Sequence, residues 1–168
     1  MSEAAGAQGP IPTRGLHHYG VTVRNAARAA EWYARAFGFS EETRWSIPGA
    51  DITIVLLQAD DVRIELFEAA RPRENPTLEE SVGASLATLG LRHVAFLVDD
   101  MDAARAHAAG LGLDILSEPA HAEGGFRYMF LRDPDGNHVE LVQPDPLSPG
   151  ADSRDQAATP SLNPGGAS

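Results

Sequence analysis

The sequence predicts an α+β protein built from two tandem βαβββ modules, and three observations carry that prediction. Shifting the chain by 75 residues lays residues 16–67 onto 91–142 without a gap, with ten identical positions. Both halves also run through one order of patterns: a short β-rich run, an alanine-rich helical stretch, then three further strand-like runs. Finally, segments too polar and too rich in small residues or proline to bury a core bound the halves, at 1–14, 71–90 and 144–168. The modules are therefore expected at 15–70 and 91–143, between flexible tails and joined by a solvated linker.

Each element has its own signal. The run YGVTV at 19–23 is strand-like, and residues 26–37 place Ala29, Trp32, Tyr33, Ala36 and Phe37 on one helical face. In the second half VAFLV at 94–98 corresponds to the strand. Asp99 and Asp100 offer caps for a helix over 101–109, and Gly110 closes it. The remaining strands are expected at 43–47, 52–57 and 62–67, then at 114–117, 126–132 and 138–142, with DPDG at 133–136 as a tight hairpin turn. Strand alternation puts Val62, Ile64 and Leu66 under the helix, and Arg63, Glu65 and Phe67 on the other face. By the same rule Val139 and Leu141 face the core, whereas His138, Glu140 and Val142 face away.

Composition narrows the chemistry. The 168 residues contain no Cys, and all 13 basic residues are Arg. That excludes thiolate nucleophiles, disulfides, Cys-ligated metals and lysine Schiff bases. A net charge of −11 argues against nucleic acid and anionic membrane as partners. There is neither a transmembrane-length apolar run nor a signal-peptide pattern, so a cytoplasmic protein is expected. Six His, the carboxylates and Arg remain, which is the palette of a metal site.

Two of the ten repeated identities are candidate ligand pairs. His18 and Glu65 lie 47 residues apart, as do His93 and Glu140. Each His opens the first strand of its half and each Glu sits in the last. One His or one Glu alone is usually solvated; the same pair at the same spacing in both halves points to a shared task. If the halves pack with these faces together, two imidazoles and two carboxylates converge. His17 competes for the first position, although alignment with His93 favours His18.

The runs LHHYGVTV (16–23) and LRHVAFLV (91–98) resemble the first-strand signature of the vicinal oxygen chelate superfamily. EWYARAFGF (31–39) is similar to its helix-end motif, and LRDPDGNHVEL (131–141) to its last hairpin. The resemblance spans about 15–143. It implies an open, U-shaped eight-stranded barrel around a divalent metal, with His18, Glu65, His93 and Glu140 on the ligand positions. Nitrogen and oxygen donors without sulfur suit Ni, Co, Mn, Zn or Fe. The implied substrate is a small molecule with oxygens on adjacent carbons, and the implied reaction is an enolate-type proton transfer, as in a glyoxalase-like lyase or isomerase. In glyoxalase I-like members a ligating Glu acts as the base, which nominates Glu140 or Glu65. An Fe(II) ring-cleaving dioxygenase and a non-catalytic drug-binding resistance protein are the alternatives within the family.

Other residues carry weaker expectations. Arg63 either anchors a substrate carboxylate or phosphate or simply pairs with a surface acid. Tyr128 and His138 are expected to line the substrate site, and His121 to lie in a loop beside it. His107 reads as a solvated helix residue. A homodimer is the expected assembly, with the site formed either within one chain or between two.

Overall fold

The computed structural model describes residues 13, 15–78 and 81–146, so most of both expected tails lies outside the described residues. The first module contains β1 (Tyr19–Val23), α1 (Ala26–Phe37), β2 (Ser40–Ser46), β3 (Ile52–Ala59) and β4 (Val62–Ala69). A 3-10 turn (Pro76–Leu78) and a one-turn helix α2 (Val82–Ser85) follow. The second module contains β5 (His93–Leu97), α3 (Met101–Gly110), β6 (Asp114–Ile115), β7 (Ala120–Ala122), β8 (Phe126–Arg132) and β9 (His138–Pro144). The strands form two separate sheets, β1-β4-β3-β2 and β5-β9-β8-β6, with β7 also paired to β8. In each, the first strand runs parallel to the last and the others are antiparallel.

Local chemistry sets the helix ends. Asn25 caps α1 by accepting from the Arg28 amide at 2.8 Å, and Gly38 ends it at φ 75°, a left-handed conformation that costs glycine least. Asp100 caps α3 through the amides of Asp102 and Ala103. A second cap comes from the sheet. Glu68 Oε2 accepts from the Ala26 amide at 2.5 Å, and Gln143 Oε1 accepts from the Met101 amide at 2.9 Å. Residues 68 and 143 are 75 apart and so are 26 and 101. Different side chains thus hold equivalent helix starts, a likeness that an identity count misses.

The second module departs from the expected plan at its edge. Pro119 follows β6 by four residues, and the strand expected at 114–117 becomes two short pieces, β6 and β7. There are therefore nine strands among the described residues rather than eight. The 71–90 linker also carries structure of its own. Arg92 donates to the carbonyls of Ser85, Leu89 and Gly90 and holds the α2 segment against β5.

The gapless repeat slips by one residue at the last hairpin. Leu56 pairs with Glu65, but Phe130, not Leu131, pairs with Glu140. The β3–β4 turn holds two residues, Asp60 and Asp61, against five in the β8–β9 turn. A one-residue slip reverses the face of every side chain. Leu56 accordingly lies on the Glu65 face, whereas Leu131 lies in the core, and their identity is not a structural equivalence.

The core explains how the modules meet. Val55, Leu57, Ile64 and Leu66 of the first sheet join Met129, Leu131, Val139 and Leu141 of the second in one cluster, with Trp32, Tyr33 and Met101 between them. Phe96 of β5 lies against Phe37 and Phe39 at centroid distances of 4.7 and 5.9 Å. A helix of ten or twelve residues cannot cover a whole sheet, so each module buries the rest of its helix-side face against the other. The Glu-bearing faces are consequently turned away from this core.

Polar contacts lock the arrangement. Asp133 is 4% exposed. Its carboxylate accepts from the amides of Asp135 and Asn137 and from the Asn137 side chain at 2.8–2.9 Å, and from the Tyr33 hydroxyl of the first module at 3.3 Å. Asp135 in turn accepts from the amide and guanidinium of Arg24, which also pairs with Glu74. Replacing Asp133 by Ala strands these buried donors and is expected to lower stability by about 2–4 kcal/mol, against about 1 kcal/mol for Tyr33→Phe. Urea denaturation of the two variants checks both values.

Candidate metal centre

The two ligand pairs form as the spacing implied. β1 lies parallel to β4 with Gly20 beside Glu65, and β5 lies parallel to β9 with Ala95 beside Glu140. A His two residues earlier on the same face therefore reaches the carboxylate of the neighbouring strand. His18 Nε2 stands 3.1 Å from Glu65 Oε2, and His93 Nε2 stands 3.0 Å from Glu140 Oε2. Both carboxylates are sheltered but open to a small ion, with 15% and 12% of the side chain exposed. Burial pushes the Glu140 carboxyl above the usual range, and His93 opposes that shift.

Of the two adjacent imidazoles, His18 is the one paired with Glu65. His17 Nδ1 lies 2.8 Å from His18 Nδ1. If His18 donates through Nδ1, the lone pair on its Nε2 is left for a metal, the usual way a neighbour fixes a ligand's tautomer.

Within a single chain the four groups do not converge. Among the described residues no three His, Asp or Glu side chains stand close enough to hold one ion. The reason is the core, which takes the helix-side faces of both sheets and leaves the pairs on separate surfaces. Each pair nevertheless suits part of a coordination sphere. Donors bound at about 2.1 Å in adjacent positions around one ion lie about 3 Å apart, as these do.

The remaining candidates fall into place differently. The Arg63 fork pairs with Glu42, at 2.7 and 3.4 Å. Tyr128 lies on the Glu140 side of β8 and lines a cavity beside His93 and Glu140. His138 is only 4% exposed and its Nε2 has no hydrogen-bond partner among the described residues; burial pushes the pKa of its imidazole down. His121 belongs to β7 rather than to a loop, and it lines the same cavity as Tyr128. Sequence reasoning passed over Phe126 and Phe130. Their alternation with Tyr128 was the available signal, and the slipped repeat obscured it.

An open pair of βαβββ sheets with His and Glu on the first and last strands defines a class, and comparison with known proteins agrees. Residues 15–141 match the model of the Glyoxalase/Bleomycin resistance protein/Dioxygenase superfamily, and the chain belongs to that superfamily. It is 31% identical over 134 residues to the uncharacterized protein YaeR of Escherichia coli K12, covering 76% of this chain and 95% of that protein. It is 33% identical over 121 residues to a 4-hydroxyphenylpyruvate dioxygenase of Caenorhabditis elegans, covering 68% of this chain but only 30% of that longer protein. A crystal structure of a glyoxalase family protein from Enterococcus faecalis shares the fold with a TM-score of 0.66 at 23% identity, over 77% of this chain and 97% of that one.

The two half-sites differ in one packing detail. A Cβ at Gly20 would meet the Phe67 ring at 2.8 Å. The equivalent positions in the second module hold Ala95 and Val142, a larger and a smaller residue. Gly20→Ala should therefore cost about 1 kcal/mol on its own and less in a Phe67→Val background. Denaturation of the four proteins in this cycle measures the difference.

Proposed function

We propose that the protein is a divalent-metal-dependent, glyoxalase-like enzyme, a lyase or isomerase that moves a proton next to a carbonyl of a small substrate with adjacent oxygens. One repeated observation carries this reading: two His–Glu pairs at about 3 Å, in equivalent places on two open sheet faces. His18 and Glu65 of one protomer and His93 and Glu140 of a second would together hold one Ni, Co, Mn, Zn or Fe ion in a homodimer. Bound there, such an ion supplies Lewis acidity to the two substrate oxygens. The exposed apolar residues support a partner at these faces. Leu16 and Leu91, matched by the repeat and each two residues before a ligand His, are 82% and 90% exposed.

Glu140 is the favoured base. It is the more sheltered carboxylate and it borders the cavity. Its carboxylate takes the proton from the carbon beside the carbonyl and returns it to the neighbouring position. Glu65, across the site, would serve as the base for a proton on the opposite face of the substrate.

A second reading, an Fe(II) ring-cleaving dioxygenase, is favoured by the dioxygenase relative. Proton transfer consumes no oxygen, so oxygen uptake with a catechol and Fe2+ would select it.

Metal analysis by mass spectrometry tests the site itself. Wild type should retain about one ion per protomer, and His93→Ala and Glu140→Ala should each lose it. A His18→Ala/Glu65→Ala protein and a His93→Ala/Glu140→Ala protein should both be empty. Refolded together, they should regain part of the metal, because mixed dimers hold one intact site. A mixture that stays empty places the site within one chain.

A further inference from the structure

The Glu140 face of the second sheet forms one wall of a cavity of about 730 Å3, within the range of small-molecule sites. Phe126, Tyr128 and Phe130 alternate along β8 and pair with Pro144, Val142 and Glu140, so all three point to one side. Their rings form a continuous row, with centroids 6.2 and 5.9 Å apart, which ends on His93 at 5.3 Å from Phe130. Val82 and Leu86 of the α2 segment and Leu116 close the cavity from other sides. A row of rings meeting edge to face thus leads directly to a candidate ligand.

The charges around this row are one-sided. The ionisable groups lining the cavity are His93, His121, Glu123 and Glu140, and no Arg is among them. The nearest arginines along the chain are occupied: Arg127 pairs with Asp102 at 2.7 Å, and Arg92 donates to three carbonyls. The face that the first module would contribute is similar. Ile54 and Leu56 lie beside Phe67 and Glu65 there, and Arg63 is held by Glu42. Among the described residues lining this cavity, a phosphate- or carboxylate-bearing substrate body would meet two carboxylates and no arginine to offset them. A flat uncharged body would bury apolar surface against the ring row instead.

Resting on the metal-site reading above, we propose that the substrate carries its adjacent oxygens on an uncharged aromatic body, laid against Tyr128 and Phe130, and not on an anionic conjugate. Calorimetric titration of the metal-loaded protein with three hydroxamates tests this, since all present the same two neighbouring oxygens. Acetohydroxamic acid lacks a body, benzohydroxamic acid adds a phenyl ring, and phosphonoacetohydroxamic acid adds a dianion. Benzohydroxamic acid should bind at least tenfold more tightly than acetohydroxamic acid, and the phosphonate no more tightly than acetohydroxamic acid. In Tyr128→Leu and Phe130→Leu the ratio of benzohydroxamic to acetohydroxamic acid affinity should fall several-fold, a ratio that a change at the metal alone would leave unaltered. Equal affinity for the first two, or tightest binding of the phosphonate, overturns the aromatic proposal and leaves the metal reading standing. If no hydroxamate binds, both fall together.

Discussion

The buried Asp133 carboxylate is the contact on which the arrangement of this molecule turns. Within its own hairpin it gathers three donors and sets the five-residue turn, and with its remaining capacity it accepts from Tyr33 of the other module. Burying a carboxylate is unfavourable unless its lone pairs are filled. Here the filling requires the second module's hairpin to sit against the first module's helix. Burial raises the carboxyl's proton affinity and the donors around it pull that affinity back, so the group is held by its hydrogen bonds rather than by a counter-ion. The docked turn is covered from outside as well. Gly136 has no room for a Cβ without crowding Leu78 of the linker, 3.3 Å away.

That docking decides where chemistry can happen. Once the helix-side faces share a core, the faces bearing Glu65 and Glu140 point outward, each with its own His. A module pair joined this way displays two separate His–Glu pairs. Leu16 and Leu91, each two residues before the His of a pair, are left exposed on these faces.

Duplication supplied the plan, and divergence divided the work. The last strand caps the helix in both modules, through Glu68 in one and Gln143 in the other. Gly20 and Phe67 in the first module stand where Ala95 and Val142 stand in the second. The first module keeps a long edge strand, β2, exposed along its whole length. In the second, the edge breaks at Pro119, and the short pieces with α2 enclose the space beside the aromatic row. The His93–Glu140 pair therefore lines a cavity, whereas Arg63 beside the His18–Glu65 pair is held by Glu42.

The sequence by itself determined the modules, most strand and helix positions, and the pairing of His18 with Glu65 and His93 with Glu140. These are legible because they rest on local periodicity and on a spacing within one sheet, where the strand pleat alone says which side chains are neighbours. Family membership was legible for the same reason, through motifs at strand and turn positions. The tertiary structure decided the rest: that Arg63 is taken by Glu42, that His138 is buried, that Phe130 rather than Leu131 faces the site, and that the two pairs stay apart in one chain. None of these is local. Each depends on turn length, on long-range partners, or on which of two sheet faces buries more apolar surface against the other module, and that comparison exists only once the chain is folded.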